Sequence, residues 1–242
     1  MSSMSSQAES HGHHISQQFN AELEDIKRRM LEMGGAVEKQ LADAVDSIIH
    51  VDSGVAAEVI EEDDVIDAME VSIDEECSLI LARRQPAASD LRLVLAIIKA
   101  LRDLERIGDE SAKIAHMAIK LSEEAEYAEG ALEFRNLAQS VSGMVNQALD
   151  AFARYDVDAA LEVARADKDV DREYGSATRS MVTHMMEDQN RITQILNLLW
   201  ALRALERIGD HAKNIAEHVI YLVKGTDVRH KKLKQIAKQV ND

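Results

Sequence analysis

An all-α fold is predicted, built as two sequence-related three-helix bundles in tandem with six long helices in all. Three observations predict it. Hydrophobic residues make up 46% of the 242-residue chain, aromatics only 3%, and there is one proline, a composition suited to helices. Apolar residues recur at steps of three and four almost from end to end. The string LRDLERIGD at 101–109 returns as LRALERIGD at 202–210, with a single letter changed.

The elements follow in order. Residues 1–14 are polar and Ser-rich, and a flexible terminus is expected there. Phe19, Leu23, Ile26, Met30, Met33, Val37, Leu41, Ala44 and Ile48 form the seam of a first long helix. Asp52, Ser53 and Gly54 break it. A second helix carries Val59, Ile66, Met69, Ile73, Cys77 and Ile80, and should end before Pro86, because a residue preceding proline avoids the helical region. Ser89 and Asp90 are candidate caps for a third helix holding Val94, Ile98, Leu101, Leu104 and Ile114. The polar stretch SEEAEYAEG at 122–130 separates this unit from the next. A fourth helix is expected from Leu132 to Arg154, a fifth from Val157 to Met186, and a sixth from Asn190 to Lys224, stopped by Gly225. The units are therefore placed at 15–122 and 123–225, followed by a basic tail at 226–242. Two copies are too few for a solenoid array. Short connections favour antiparallel neighbours within each bundle.

Charge and cysteine usage exclude several functions. The formal net charge of -16 repels nucleic-acid phosphates and anionic lipid. A single cysteine, Cys77, forms no internal disulfide and no Cys-rich metal site. No run reaches membrane-spanning length, and the first residues have no apolar signal core, so a cytoplasmic location is expected. Neither a Walker-type glycine loop nor a nucleophile-base set is found, and the Glu-x-x-His pairs of ferritin-like sites are missing.

The repeated string places acids where a core is expected. Stepping back from Glu105 by four, seven and eleven gives Leu101, Ile98 and Val94, and Asp109 lies one turn further along the same stripe. Glu206 and Asp210 stand in the same relation to Ile195, Leu199 and Leu202. A carboxylate facing a core is costly unless it is paired, protonated or bound to a metal. The second helix of each unit supplies a matching pair four residues apart, Asp63 with Asp67 and Asp167 with Asp171. Two sites are expected: Asp63, Asp67, Glu105 and Asp109 in one half, and Asp167, Asp171, Glu206 and Asp210 in the other. All-oxygen ligation suits a divalent or trivalent metal such as magnesium, manganese, calcium or iron. His116, His211 and His218 could add nitrogen and admit zinc. The competing reading is salt bridging, since Arg102 and Arg106 flank the first pair and Arg203 and Arg207 the second. Gly108 and Gly209 would let helices approach closely beside the acids. Cys77 reads as a small core residue, and Trp200 as packing or a contact surface. The basic tail reads as a solvated helix or a docking segment.

LERIGD occurs twice, QPAASDLR precedes the first copy, and the second continues as LERIGDHAKNIAEHVIYLVKG. With HISQQFNAEL at 14–23, these segments resemble the PhoU family over 14–225. The resemblance implies two similar three-helix bundles. It also implies metal clusters held by E(D)xxxD pairs, with iron or zinc, on the eight acids named above. One departure is that His116 stands where the second copy has Glu217, so the two sites need not bind alike. The resemblance further implies a non-enzymatic negative regulator of the phosphate-starvation response. Such a protein links the ATPase subunit of a phosphate ABC transporter to a sensor histidine kinase, peripheral to the inner membrane through those partners. A homodimer or higher oligomer is expected. The alternatives are a carboxylate-bridged metal enzyme, either oxidase or phosphohydrolase, and a plain structural bundle whose acids only make salt bridges.

Overall fold

The computed structural model describes residues 3–123, 130–229 and 231, with side chains from residue 17 onward. Among the described residues there are six α-helices and no strands. These are α1 (Ser3–His50), α2 (Ser53–Arg84), α3 (Ala88–Ser122), α4 (Ala131–Arg154), α5 (Val157–Glu187) and α6 (Ile192–Lys224), with a 3-10 turn (Gln189–Arg191) ahead of α6. The α1 backbone is helical back to Ser3, through the stretch the sequence predicts as a flexible terminus. The expected separating stretch lies outside the described residues at 124–129, and the basic tail does so from 232 onward.

The helix ends follow from local chemistry. Asp52 accepts hydrogen bonds from the backbone N–H groups of Gly54 and Val55 at 2.9 and 3.1 Å, capping α2. Asp156 caps α5 through the N–H of Ala159 at 2.9 Å. Caps of this kind contribute about 1 kcal/mol each, and they occupy matching positions in the two halves. α2 stops at Arg84, where Gln85 turns into the left-handed region ahead of Pro86. Gly225 ends α6 at φ 69°, where glycine carries no side-chain penalty. One expectation is corrected. Neither Ser89 nor Asp90 caps α3. The N-cap is Ala87, without a side-chain bond, so both lie inside the first turn, where Ser89 donates to Asp90. Asp90 acts there as a negative charge beside the positive end of the helix dipole.

α3 packs against α1 and α2, and α6 against α4 and α5, so each half is a three-helix bundle. α3 and α6 also pack on each other, and α1 meets α4. One continuous core results, running from Leu23 through Leu101 and Phe134 to Ile220. α3 is consequently buried on most of its circumference, on one side by its own bundle and on another by α6.

Candidate metal centres

In each half, acids on α2 or α5 feel the charge of acids on α3 or α6. In the first half, burial pushes the Asp63 carboxyl above the ordinary range. The Gln40 amide opposes this, and the charges of Asp67 and Asp109 add to it. Glu105 is also raised by burial. Arg106 pulls it back, while Asp109, Glu70 and Asp67 push it further. In the second half burial raises Asp167 against the pull of Lys213, with Asp171 and Asp210 adding to the rise. Burial likewise raises Glu206 against Arg203, helped by Asp210 and Asp171. Each pair feels the other across the helix-helix groove, so like charges share one low-dielectric space.

Cations answer part of that repulsion, differently in the two halves. Arg106 reaches Glu105 at 3.3 Å and Asp109 at 3.2 Å. Arg203 reaches Glu206 at 2.6 Å. Lys213 donates to Asp167 at 2.7 Å, a carboxylate only 7% exposed. Aligning the two LERIGD copies puts Ala112 where Lys213 stands, so the first half has no such ammonium. There the fully buried Gln40 donates to Asp63 at 3.0 Å instead.

The donor chemistry fits a hard cation. Among the described residues, three buried side-chain oxygens have no hydrogen-bond partner; Thr178 Oγ1 lies apart from the acids, while Gln40 Oε1 stands beside Asp63 and Glu206 Oε2 belongs to the second cluster. The latter two are acceptors next to carboxylates, where a cation would satisfy them. The ligating atoms are nevertheless not gathered. Among the described residues no group of three or more His, Cys, Asp and Glu side chains stands ready to hold a metal. The expected histidine ligands point elsewhere: His116 is exposed, and His211 and His218 turn to Asp103.

Gly108 marks the tighter of the two crossings. A Cβ there would stand 3.1 Å from Asp63 Oδ1 and 3.2 Å from Gln40 Oε1, whereas at Gly209 the nearest atom is Val170 Cγ1 at 3.4 Å. Alanine is worth about 1 kcal/mol over glycine inside a helix. Gly209→Ala should therefore be neutral or stabilise by up to about that amount. Gly108→Ala should lose the gain because it displaces Asp63 and Gln40. Urea unfolding midpoints compare them, and equal shifts would remove any special crowding at Gly108.

Sequence reasoning missed two acids. Glu105 sits at the border of the apolar face rather than inside it. The acid buried on α3 is Glu110, 2% exposed and reached by Lys113 at 3.0 Å and by Arg207 of the other half at 2.7 Å. Arg207 thus leaves its neighbouring acid pair and crosses between bundles. Asp103, with its side chain 12% exposed, accepts from His211 Nδ1 at 2.9 Å, Asn214 Nδ2 at 3.0 Å and His218 Nε2 at 2.9 Å. A carboxylate only accepts, so the bonded ring nitrogen of each histidine carries hydrogen. Burial alone would raise the Asp103 carboxyl, but the bonds from His211, His218 and Asn214 outweigh it and hold the group below the ordinary range. The signal lay in the one letter that differs between the repeats, Asp103 against Ala204.

The family model for the PhoU domain matches this chain twice, over residues 30–118 and 134–219. A phosphate-specific transport system accessory protein PhoU homolog of Pseudomonas aeruginosa is 60% identical, with 95% of each chain covered. The accessory protein PhoU of Escherichia coli strain K12 is 48% identical over 90% of each. The crystal structure of PhoU from Pseudomonas aeruginosa superposes with a TM-score of 0.84 at 61% identity, covering 86% of this chain and all of that one. The phosphate transport system regulatory protein PhoU from Streptococcus pneumoniae gives 0.81 at 29% identity, covering 87% of this chain and 99% of that one. With two domain matches placed on its two bundles and relatives aligned along nearly its whole length, the chain belongs to the PhoU family of phosphate-transport accessory proteins.

Proposed function

We propose that this protein is a non-enzymatic adaptor that represses the phosphate-starvation response when phosphate is ample. It would do so by contacting the ATPase subunit of a phosphate ABC transporter and the cytoplasmic part of a sensor histidine kinase. The carrying observation is the match, over 90–95% of the chain, to proteins named accessory to phosphate transport. No described helix is long and apolar enough to cross a membrane. The adaptor therefore reaches the transporter by binding proteins already seated there. Its helices offer long faces, and its acidic surface favours partners with basic patches.

The two acid clusters belong to this proposal as cation sites. Asp63, Asp67, Glu105 and Asp109 would hold one ion and Asp167, Asp171, Glu206 and Asp210 another, of iron or zinc, with manganese or magnesium also compatible with oxygen donors. A bound ion supplies charge neutralisation. The chain's own carboxylates tie α2 to α3 and α5 to α6, fixing the faces that partners read.

Co-purification from membranes tests the adaptor. The transporter ATPase or the kinase should be recovered with the protein, more at low salt than at high, because screening shortens to about 8 Å at physiological ionic strength. Recovery of neither, together with catalytic turnover of a phosphate ester or of iron by the purified protein, would replace the adaptor with an enzyme.

A further inference from the structure

One exposed face of α6 carries an apolar stripe that two arginines continue. Ile192, Leu196 and Trp200 follow one another at steps of four, and Arg203 and Arg207 continue the same stripe at steps of three and four. All five side chains stand exposed, Trp200 at 64%. Trp200, Arg203 and Arg207 line a groove of about 460 Å³ against α3, together with Lys113, Met117 and Glu110. Three cations against one carboxylate give this groove a positive balance on a chain of net charge -16.

We propose that this groove docks an acidic amphipathic α-helix of a partner protein. The apolar stripe asks for apolar anchors at the same helical spacing, and the arginines ask for carboxylates one to two turns beyond them. Tryptophan and arginine are the side chains that most often dominate binding energy at interfaces. Arg203 bonds Glu206, and Arg207 and Lys113 bond Glu110, each through one nitrogen. A guanidinium has five N–H donors and an ammonium three, so a partner carboxylate can gain a charge-assisted bond without stripping Glu110 of its partners, although the Arg203 guanidinium also lies 5.9 Å from the Tyr174 ring centroid. A compact multivalent anion is less well served, because Glu110 lies in the floor. The basic tail of this chain is excluded as occupant by its own charge. This docking surface prefers a partner of opposite sign to the basic ones the rest of the surface favours, so it stands independently of the adaptor proposal.

Trp200 is the only tryptophan of the chain, so its emission reports on this groove alone. The probe is a synthetic helical peptide carrying leucine at steps of three and four and glutamate on its flank. The control replaces those glutamates with lysine. Titration of the full-length protein with the acidic peptide should give a saturable blue shift of Trp200 emission that weakens with added salt. Arg207→Gln should weaken binding about tenfold. Leu196→Asp, at an exposed position with no part in the core, should weaken it comparably while the helical circular dichroism stays unchanged. No shift in emission would overturn the proposal, as would equal binding of the lysine peptide. So would an emission that depends on protein concentration alone, since a second copy of the chain would then be the occupant.

Discussion

Asp103→Ala should destabilise the protein by about 3–5 kcal/mol, the range for removing one partner from a buried charged network. The carboxylate is nearly buried, and His211, Asn214 and His218 all donate to it from the other half. Truncation leaves three donors facing a cavity at the α3-α6 crossing. Asp103→Asn fills the space but loses the charge and one acceptor, so a smaller loss is expected. Because this contact joins the bundles, urea unfolding of the alanine variant should also lose cooperativity, with probes in the two halves no longer coincident. A loss below about 1 kcal/mol would mean that Asp103 does not hold the halves together. The pH dependence follows from the lowered carboxyl. The folded chain binds this proton less readily than the unfolded chain does. Asp103 therefore stabilises fully above the ordinary carboxylate range, and that contribution disappears as pH falls through the folded value. Asp103→Ala should flatten this acid limb of a melting-temperature profile.

Lys213→Met should cost about 2–3 kcal/mol, somewhat less than breaking a fully buried pair, because the ammonium is partly exposed. It removes the counter-charge of Asp167 and leaves that carboxylate buried beside Asp171 and Asp210. Burial would lower the Lys213 pKa, but the bond to Asp167 outweighs this and holds it raised. The ammonium therefore stays charged in the folded protein. Combining Lys213→Met with Asp167→Asn should restore most of the loss. The two acid clusters also differ in a way that metal titration can read. A manganese or zinc ion can take over the role of the missing ammonium, so added metal should raise the melting temperature of Lys213→Met more than that of the wild type. An equal response of both proteins to metal would contradict the idea that Lys213 serves as the resident cation of the second cluster. Glu206→Gln gives the complementary result. If a metal is held there, the substitution lowers thermal stability only with metal present. Equal effects in chelated and metal-loaded protein would favour salt bridges.

The helical architecture could be read from periodicity because each bundle buries a stripe at steps of three and four. Pro86 and Gly225 set helix ends by backbone geometry that their letters determine. The N-terminus of α3 could not be read the same way, since serine and aspartate favour both caps and first turns and only the chain path decides between them. The eight acids stand out in the sequence because the repeat presents them twice, and in each half acids of one helix feel the charge of acids on the other, but no three of them are gathered as ligands among the described residues. Their counter-ions were harder to see: Arg106 and Arg203 follow from helical spacing, but Lys213 reaches Asp167 from a different helix. The contacts of Arg207 with Glu110 and of Asp103 with His211 and His218 run between bundles and were hidden for the same reason. A single-helix pattern records which residues share a face and is silent on which neighbour covers it. For that reason Glu105 read as the core-facing acid, although α6 packing on α3 buries Glu110 and Asp103 instead.

Regulation of phosphate uptake by binding is the centre of this account, and a reporter driven by a phosphate-starvation promoter tests it most directly. In cells lacking this protein and grown with ample phosphate, the reporter should be switched on, and the wild-type chain should silence it again without any catalytic turnover by the purified protein. A reporter that stays silent in ample phosphate without the protein would contradict the account.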